Sequence, residues 1–216
     1  YDQEWGPLWR NDPTHDLQTP FYGFQRVDLA VDHGDQVWGH YERWLARTHP
    51  EVRRQWGPEH ALPAPGFVLT EHHQAWRTRV PEECSTTAYL GDQTIRQLRE
   101  HAAGKQPFFI QCSFPDPHHP FTPHGKYWSM YRPEDVALPH SFHASAAPDH
   151  RPAPHVAWLY WQRDQRKAVK HTPAIFACTE REAREAIALN YGSISHIDAT
   201  IGRVLQTLRQ TGLDEN

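Results

Sequence analysis

Apolar side chains repeat at helical spacing in two long segments of this chain. Between Ser85 and Gly104, one face of a predicted helix collects four apolar residues while the charged residues fall elsewhere; the four are Ala88, Ile95, Leu98 and Ala102. From Thr179 onward, the sequence Thr-Glu-Arg-Glu is typical of a capping box, in which the threonine hydroxyl and the Glu182 carboxylate each bind a backbone N–H group. A second helix, of about 30 residues, is predicted from there to Gly212.

The second predicted helix carries an apolar stripe. Its members recur every three or four residues: they are Ile187, Tyr191, Ile194, Asp198, Ile201, Leu205 and Leu208. Asp198 lies within the stripe, where a carboxylate needs partners, so we expect it to cap a backbone donor or to pair with a basic group. Gly192 and Gly202 lie inside the helix, which predicts close packing against a neighbouring backbone at both positions.

Strand signals are weaker than helix signals. Residues 22–31 alternate loosely and predict a strand, and residues 35–48 predict a short helix after it. After Pro107, the run Phe-Phe-Ile-Gln-Cys-Ser-Phe is short and mostly apolar, as in a strand buried in a sheet, and it ends at Pro115. A helix, a tight turn and a buried strand in succession predict an α/β fold.

Composition and charge limit the classes of partner. The 22 basic and 26 acidic residues give a net charge of −4 with the two signs interspersed, so no nucleic-acid partner is predicted. The longest apolar run, residues 156–161, is far shorter than the roughly 20 residues of a membrane-spanning helix, so no membrane partner is predicted either. Three scattered cysteines are too few for a disulfide framework and slightly favour a reducing, cytoplasmic location. The length predicts a single domain over residues 1–216.

The loop after the predicted buried strand combines ionisable groups with a stiff backbone. Residues 113–121 contain three prolines, which restrict the backbone around Asp116 and His118. Loops at strand ends are where open α/β sheets bind ligands. A histidine there can donate a hydrogen bond to an anionic ester oxygen or bind a metal. The same residue types also suit a structural turn with exposed imidazoles, and residue type alone leaves both interpretations open.

This region resembles the sulfatases of the alkaline phosphatase superfamily. Residues 107–121 are similar to the central strand of that family and its following loop. The similarity continues in further short motifs, which are Phe21-Tyr22-Gly23-Phe24, His33-Gly34-Asp35, Gly39-His40-Tyr41, Trp44-Leu45, Tyr127, Met130-Tyr131, Pro133, residues 135–139, Tyr191, Ile197-Asp198, Ile201-Gly202 and Val204-Leu205. The resemblance implies an α/β fold, here part of an alkaline-phosphatase-like sheet with flanking helices, and incomplete.

The resemblance also implies a chemistry. It is hydrolysis of a small-molecule sulfate ester, or of a related phosphate or phosphonate ester, by a formylglycine nucleophile at a divalent metal such as calcium. Of the family's site residues, only the histidine of its His-x-Pro loop carries over, and it falls on His118. The resemblance implies that His118 contacts the sulfate or the leaving oxygen, with His119 as its neighbour.

The motifs that would complete such a site are not seen. Cys84, Cys112 and Cys178 all lack the Cys-x-Pro-x-Arg pattern from which sulfatases make their nucleophile. The family's N-terminal Asp pair and its late Asp-His-Gly metal motif are not seen either. We therefore interpret the chain as a central fragment without catalytic or metal-binding residues of its own. We expect it to bind no metal, to be inactive alone, and to self-associate or be marginally stable because sheet edges and apolar helix faces stay uncovered.

Two other interpretations compete with this one. Asp32 and His33 lie in an Asp-His-Gly sequence, but it precedes the long helix and the His118 loop, so we favour a loop with solvated side chains over metal ligation. The second alternative is a non-catalytic, His-rich domain that binds an anion or a transition metal. Its candidate ligands are Asp116, His118, His119 and His124.

Overall fold

The computed structural model describes residues 2–72, 74–104, 106–143, 153–164 and 178–215, and helices dominate these residues. The α-helices in chain order are α1 Gly6–Asn11, α2 His40–Thr48, α3 Pro50–Arg53, α4 Thr86–Ala102, α5 Pro154–Asp164 and α6 Glu180–Thr211. Short 3₁₀ turns occur at Pro58–His60, Leu69–His72, Glu82–Cys84, Gly125–Ser129, Pro133–Asp135, His140–His143 and Leu213–Glu215. None of the helices in this part of the chain has both the length and the apolar character needed to cross a bilayer.

The only sheet among the described residues is small. Strand β1, Ala30–Val31, pairs antiparallel with β2, Trp38–Gly39. The strand predicted over residues 22–31 is therefore confined to its last two residues, and the helix predicted over residues 35–48 begins only at His40. The residues between β1 and β2 form a tight turn in which Asp32 and Gly34 have positive φ angles.

Both long helices form where local signals predict them. The Ser85 hydroxyl accepts a hydrogen bond from the Ala88 N–H at 3.0 Å and caps α4. The reciprocal capping box of Thr179 and Glu182 begins α6, and Gly212 ends it in the left-handed conformation. Helices α4 and α6 pack against each other at small side chains, because a Cβ added to Gly91 would overlap the Thr200 methyl group.

The face of α6 that is buried in this chain differs from the predicted apolar stripe. The buried residues are mostly small or polar: Glu182, Ala183, Glu185, Ala188, Leu189, Gly192, Ser193, His196, Thr200 and Thr207. The stripe is half exposed, at 45% for Tyr191 and 44% for Ile194. Asp198 is exposed as well, so the expectation that it needs a buried partner is wrong. Gly192 packs tightly as predicted, whereas a side chain at Gly202 would meet open space, so close packing there is also wrong.

The strand predicted after Pro107 is not part of a sheet among the described residues. Residues 107–115 form neither a strand nor a helix, and most of them are exposed. Phe109 is 75% exposed and Cys112 is also exposed. The prediction of a buried, paired strand is wrong for this chain, because no neighbouring strand in the described residues pairs with it. The segment ends at Asp116, where the loop with His118 begins.

The core of the described residues consists of two clusters. One combines α2, α4 and the intervening turns, and its buried members are Val37, Tyr41, Leu45, Trp56, Val80, Cys84 and Tyr89. The other combines Leu69, Ala75, Trp128 and Leu189. Glu185 joins α6 to this second cluster, because its fully buried carboxylate accepts the backbone N–H of Leu69 at 2.8 Å. The second cluster contacts the loop that contains His118, because Phe121 packs against it.

Candidate functional site

The loop around His118 is fixed at both ends and from α6. The His118 N–H donates to the Pro115 carbonyl at 3.2 Å, which closes a turn. The Phe121 N–H donates to the Gln74 carbonyl at 2.9 Å. From α6, the side-chain amide of Asn190 donates to the Pro117 carbonyl at 3.0 Å. These bonds limit the positions that the loop can adopt, as its proline content predicts.

His118 is exposed and lies between two other imidazoles. Its ring stacks on His33 with centroids 3.7 Å apart and planes 20° apart. It also stacks on His119, at 4.3 Å and 25°. Residue 33 is far from residue 118 along the chain, so the fold brings together two segments that sequence analysis treated separately. Stacking leaves the ring edge of His118 as its contact surface.

One hydrogen bond fixes the proton on the His118 ring. Its Nδ1 lies 2.5 Å from the His119 carbonyl oxygen. A carbonyl oxygen can only accept a hydrogen bond, so Nδ1 carries the proton and donates. The neutral ring therefore has a bare Nε2, which can accept a proton or a hydrogen bond. The protonated ring instead has an Nε2–H that can donate to an anionic oxygen.

The two flanking histidines are biased toward their neutral forms. Partial desolvation of this exposed residue, followed by the charge of His118, lowers the pKa of His33 below its usual range, although the nearby carboxylate of Asp32 opposes this shift. Burial and then the charge of His118 also lower the pKa of His119. Neighbouring positive charges in one stack repel each other. At neutral pH the stack therefore presents His33 and His119 mainly as neutral rings.

The turn that holds His33 is tied to the interior through Asp35. This fully buried carboxylate accepts the Thr78 hydroxyl at 2.5 Å and the Gly57 N–H at 3.1 Å. Burial raises the pKa of Asp35, and these hydrogen bonds oppose the shift. Gly34 allows the turn to approach the His118 loop closely, since an added Cβ would lie 3.0 Å from Pro120 Cγ. The His33 turn and the His118 loop are therefore packed together.

Asp116 and His124 do not join this stack. The Asp116 carboxylate accepts the Thr87 hydroxyl at 3.0 Å on α4, and its burial raises its pKa to about 6. His124 is 1% exposed, and neither of its ring nitrogens has a hydrogen-bond partner among the described residues. The four ligands of the His-rich alternative therefore do not converge on one point.

His124 instead belongs to a buried imidazole pair beside α6. Its ring lies 5.9 Å from that of His196, which stacks on Tyr127 at 4.5 Å. Burial, and then the charge of His196, lower the pKa of His124 to about 3. Burial is also the largest cause that lowers the pKa of His196 to about 4, while the carboxylate of Glu82 opposes it. Both rings are neutral at physiological pH and serve as packing groups there.

A family model described as Sulfatase matches residues 11–216. The chain belongs to the sulfatase family. That match confirms the resemblance of its sequence motifs, and it includes both the His33 turn and the His118 loop.

Curated relatives agree with the sulfatase assignment. The chain is 28% identical to the multifunctional alkaline phosphatase superfamily protein PehA of Trinickia caryophylli over 179 residues, which are 80% of this chain and 33% of the relative. It is 30% identical to an arylsulfatase of Clostridium perfringens over 61% of this chain and 24% of that protein. It is 25% identical to a choline-sulfatase of Rhizobium meliloti over 82% of this chain and 34% of that protein. The chain thus spans between 24% and 34% of the length of these three relatives.

A solved structure shows the same fold. The phosphonate monoester hydrolase of Agrobacterium radiobacter superposes with a TM-score of 0.52 at 24% identity, covering 80% of this chain and 33% of that structure. The predicted fold class is therefore confirmed as α/β, part of an alkaline-phosphatase-like architecture. The small sheet β1 and β2 is consistent with an incomplete version of that architecture.

The divalent metal implied by sulfatase resemblance does not fit the described residues. No group of three or more His, Cys, Asp or Glu side chains in these ranges could hold a metal ion. His33, His118 and His119 are close together, but their rings are nearly parallel. Ring nitrogens donate their lone pairs within the ring plane, so parallel stacked rings cannot direct them at one ion. The interpretation of Asp32 and His33 as a loop is supported, although the His33 ring contacts His118 as well as solvent.

Neither Cys84 nor Cys112 has the environment of a reactive thiol. Cys84 is buried, and its pKa is raised first by burial. Cys112 is exposed, yet partial desolvation raises its pKa too. A reactive thiol needs the opposite shift. His33 is the site residue that sequence analysis did not assign, because only the folded chain brings it to His118.

Proposed function

We propose that residues 1–216 form a single, partial sulfatase domain. In the longer protein this domain would hydrolyse a small-molecule sulfate ester, or a related phosphate or phosphonate ester. His118 would contact the ester anion or the leaving oxygen. The observation that supports this role is the hydrogen bond from Nδ1 to the His119 carbonyl, because it leaves Nε2 for the substrate.

The His118 ring could serve the reaction in two protonation states. When protonated, its Nε2–H can donate to an ester oxygen and favour the charge that develops there in the transition state. The same proton could pass to the leaving oxygen, after which Nε2 is bare and the Nδ1 hydrogen bond is unchanged. We propose that the formylglycine nucleophile and the divalent metal come from other parts of a longer protein, so that this chain alone is inactive.

Titration of the chain with inorganic sulfate tests the role of His118. With histidine rings labelled for NMR, we expect sulfate to shift the His118 signals most strongly. A His118→Ala variant should lose the response of neighbouring His33 and His119, whereas His155→Ala, which removes an exposed histidine on α5, should keep it. A sulfate response that is unchanged in His118→Ala would refute the assignment.

Two further measurements complete this test. Incubation of the chain with an aryl sulfate and with an aryl phosphonate monoester should give no hydrolysis above buffer, and turnover by the chain alone would contradict the proposed division of the site. Calorimetry with zinc addresses the His-rich alternative. Stoichiometric zinc binding that disappears in His118→Ala would favour that alternative over the sulfatase site.

A further inference from the structure

His33 and His118 meet because two separate loops are each anchored to the interior. The His33 turn follows β1 and is held by the buried Asp35 carboxylate. The His118 loop is held by Asn190 of α6 and by Gln74. Because both loops are anchored, the stacking of the two rings is a defined contact between the His33 turn and the His118 loop.

The stack controls the orientation of the His118 ring. An exposed histidine side chain normally rotates about two side-chain torsions, and ordering it on binding costs about 0.5–1.5 kcal/mol. Here His33 covers one face of the ring at a centroid separation of 3.7 Å, and His119 covers the other at 4.3 Å. A ring confined between two planes keeps Nδ1 directed at the His119 carbonyl, where their separation is 2.5 Å.

The contribution of His119 is different from that of His33. His119 follows His118 directly, and its own backbone carbonyl accepts the Nδ1 proton, so it is part of the same loop. His33 is the member of the stack that comes from another part of the chain. It is therefore the residue whose loss would free one face of His118 without changing the loop sequence.

We propose that His33 is a positioning residue for His118, holding its imidazole by stacking so that Nδ1–H stays bonded to the His119 carbonyl and Nε2 stays free for the ester anion. This inference rests on the proposed function for the identity of the ligand. The orientation of the ring itself can be measured without any ligand. A flat ring at position 33 is sufficient for this role, and a ring nitrogen there is not required.

The ring nitrogens of His118 report its orientation directly. NMR of the ¹⁵N-histidine-labelled chain, recorded at a pH of about 8, above the ordinary pKa of a free imidazole, distinguishes a protonated Nδ1 from a protonated Nε2. The His118 signals are assigned by their loss in His118→Gln. We expect a single Nδ1–H tautomer in the wild-type chain and a mixture in His33→Ala. His33→Phe, which keeps a flat ring, should restore the single tautomer, and His155→Ala should leave it unchanged.

Each alternative result has a distinct meaning. A single Nδ1–H tautomer that persists in His33→Ala, or a mixture already present in the wild type, overturns the positioning role. A mixture in His33→Phe equal to that in His33→Ala overturns stacking as its cause. Circular dichroism of both variants should match the wild type, because His33 is an exposed residue.

Sulfate titration of the same samples separates this inference from the proposed function. We expect the sulfate dissociation constant to rise by about three- to tenfold in His33→Ala, the cost of ordering one side chain, and to recover in His33→Phe. A tautomer that depends on His33 together with a His118 ring insensitive to sulfate would support the positioning role and refute the anion role. A sulfate response that depends on His118 but not on His33 would support the anion role and refute the positioning role.

Discussion

The two faces of α6 differ in what they carry and in how they are packed. One face consists mostly of small and polar residues, and it is buried against α4 and the Gly125–Ser129 turn. The opposite face carries the apolar stripe, in which Tyr191, Ile194, Ile201 and Leu205 are each more than 40% exposed. Burial on this helix therefore follows steric fit to near neighbours within the described residues, whereas apolar character marks a surface that they do not cover.

The contrast shows which contacts hold this part of the sulfatase fold together. A neighbouring backbone can approach the buried face of α6 closely only at a residue without a side chain, as at Gly192, which lies against the Tyr127 carbonyl. The exposed stripe has the helical spacing of a packing surface, and the exposed Phe108 and Phe109 belong to the segment similar to the central strand of the family. Both features agree with a chain that spans only about a third, or less, of the length of its relatives.

The strongest test of the buried face is an added methyl group. Gly192→Ala places a Cβ much closer to the Tyr127 carbonyl oxygen than van der Waals contact allows, and this backbone atom cannot rotate away. We expect the free energy of unfolding to fall by about 3 kcal/mol, the upper end for overpacked interiors. Chemical denaturation of the two proteins measures the difference.

Gly202→Ala is the matched control on the same helix. An added Cβ there meets no atom within 4 Å, so only helix propensity changes. We expect this variant to be more stable than the wild type by up to about 1 kcal/mol. Equal effects of the two substitutions would show that the close approach at Gly192 does not exist in solution.

Local signals explain why the helices were predictable and the packing was not. Ser85, the Thr179 capping box and Gly212 act on backbone groups within one turn, so sequence alone placed the start of α4 and both ends of α6. The side of α6 that is buried depends on which element lies beside it. The same holds for residues 107–115, whose composition suits a buried strand although no described strand pairs with them.

Low pH is expected to lower the free energy of unfolding through His124, which is buried beside α6. Its pKa is about 3 in the folded chain and near its ordinary value of 6.5 when unfolded. Between these values the unfolded chain binds more protons, so stability falls as the pH drops below 6.5. By pH 5 the loss from this one group is about 2 kcal/mol.

Other titratable groups also change the stability of the chain as the pH falls, so the test has to separate His124 from them. His196 has its pKa lowered to about 4 and adds a loss of the same sign, and the Glu82 carboxylate and the Lys126 and Arg203 cations lie close enough to affect it. Asp116 acts in the opposite direction, because a pKa raised to about 6 makes the folded chain bind more protons as the pH falls. The difference between His124→Leu and the wild type isolates His124.

We expect the unfolding free energy of His124→Leu to fall by about 1.6 kcal/mol less than that of the wild type between pH 6.5 and pH 5. Denaturant titrations at both pH values measure this. His155→Leu, at an exposed position, should follow the wild type. Parallel pH dependences for His124→Leu and the wild type would mean that His124 is solvated or paired in solution.

The site was less predictable than the helices for a similar reason. Three prolines after an apolar run singled out the loop of residues 113–121, and the sulfatase resemblance implied the role of His118, because that information is contained in one loop. The stacking of His33 on His118 depends on how β1, its turn and the Asp35 anchor fold against that loop. An Asp-His-Gly sequence instead suggested a metal motif, which the parallel rings do not support.

The smallest effect on stability is expected on the exposed face of α6. Ile194→Lys replaces a side chain that is already 44% exposed, so the free energy of unfolding should change by no more than about 0.5 kcal/mol.

We predict that the wild-type chain self-associates through the apolar stripe, because contiguous exposed apolar surface favours association. Sedimentation equilibrium should then show weaker association for Ile194→Lys. Ala199→Lys adds the same charge to α6 outside the stripe and should associate as the wild type does. A wild-type chain that stays monomeric at the same concentrations would contradict the prediction. Equally weak self-association of both variants would show that the added charge, and not the loss of the apolar stripe, causes the effect.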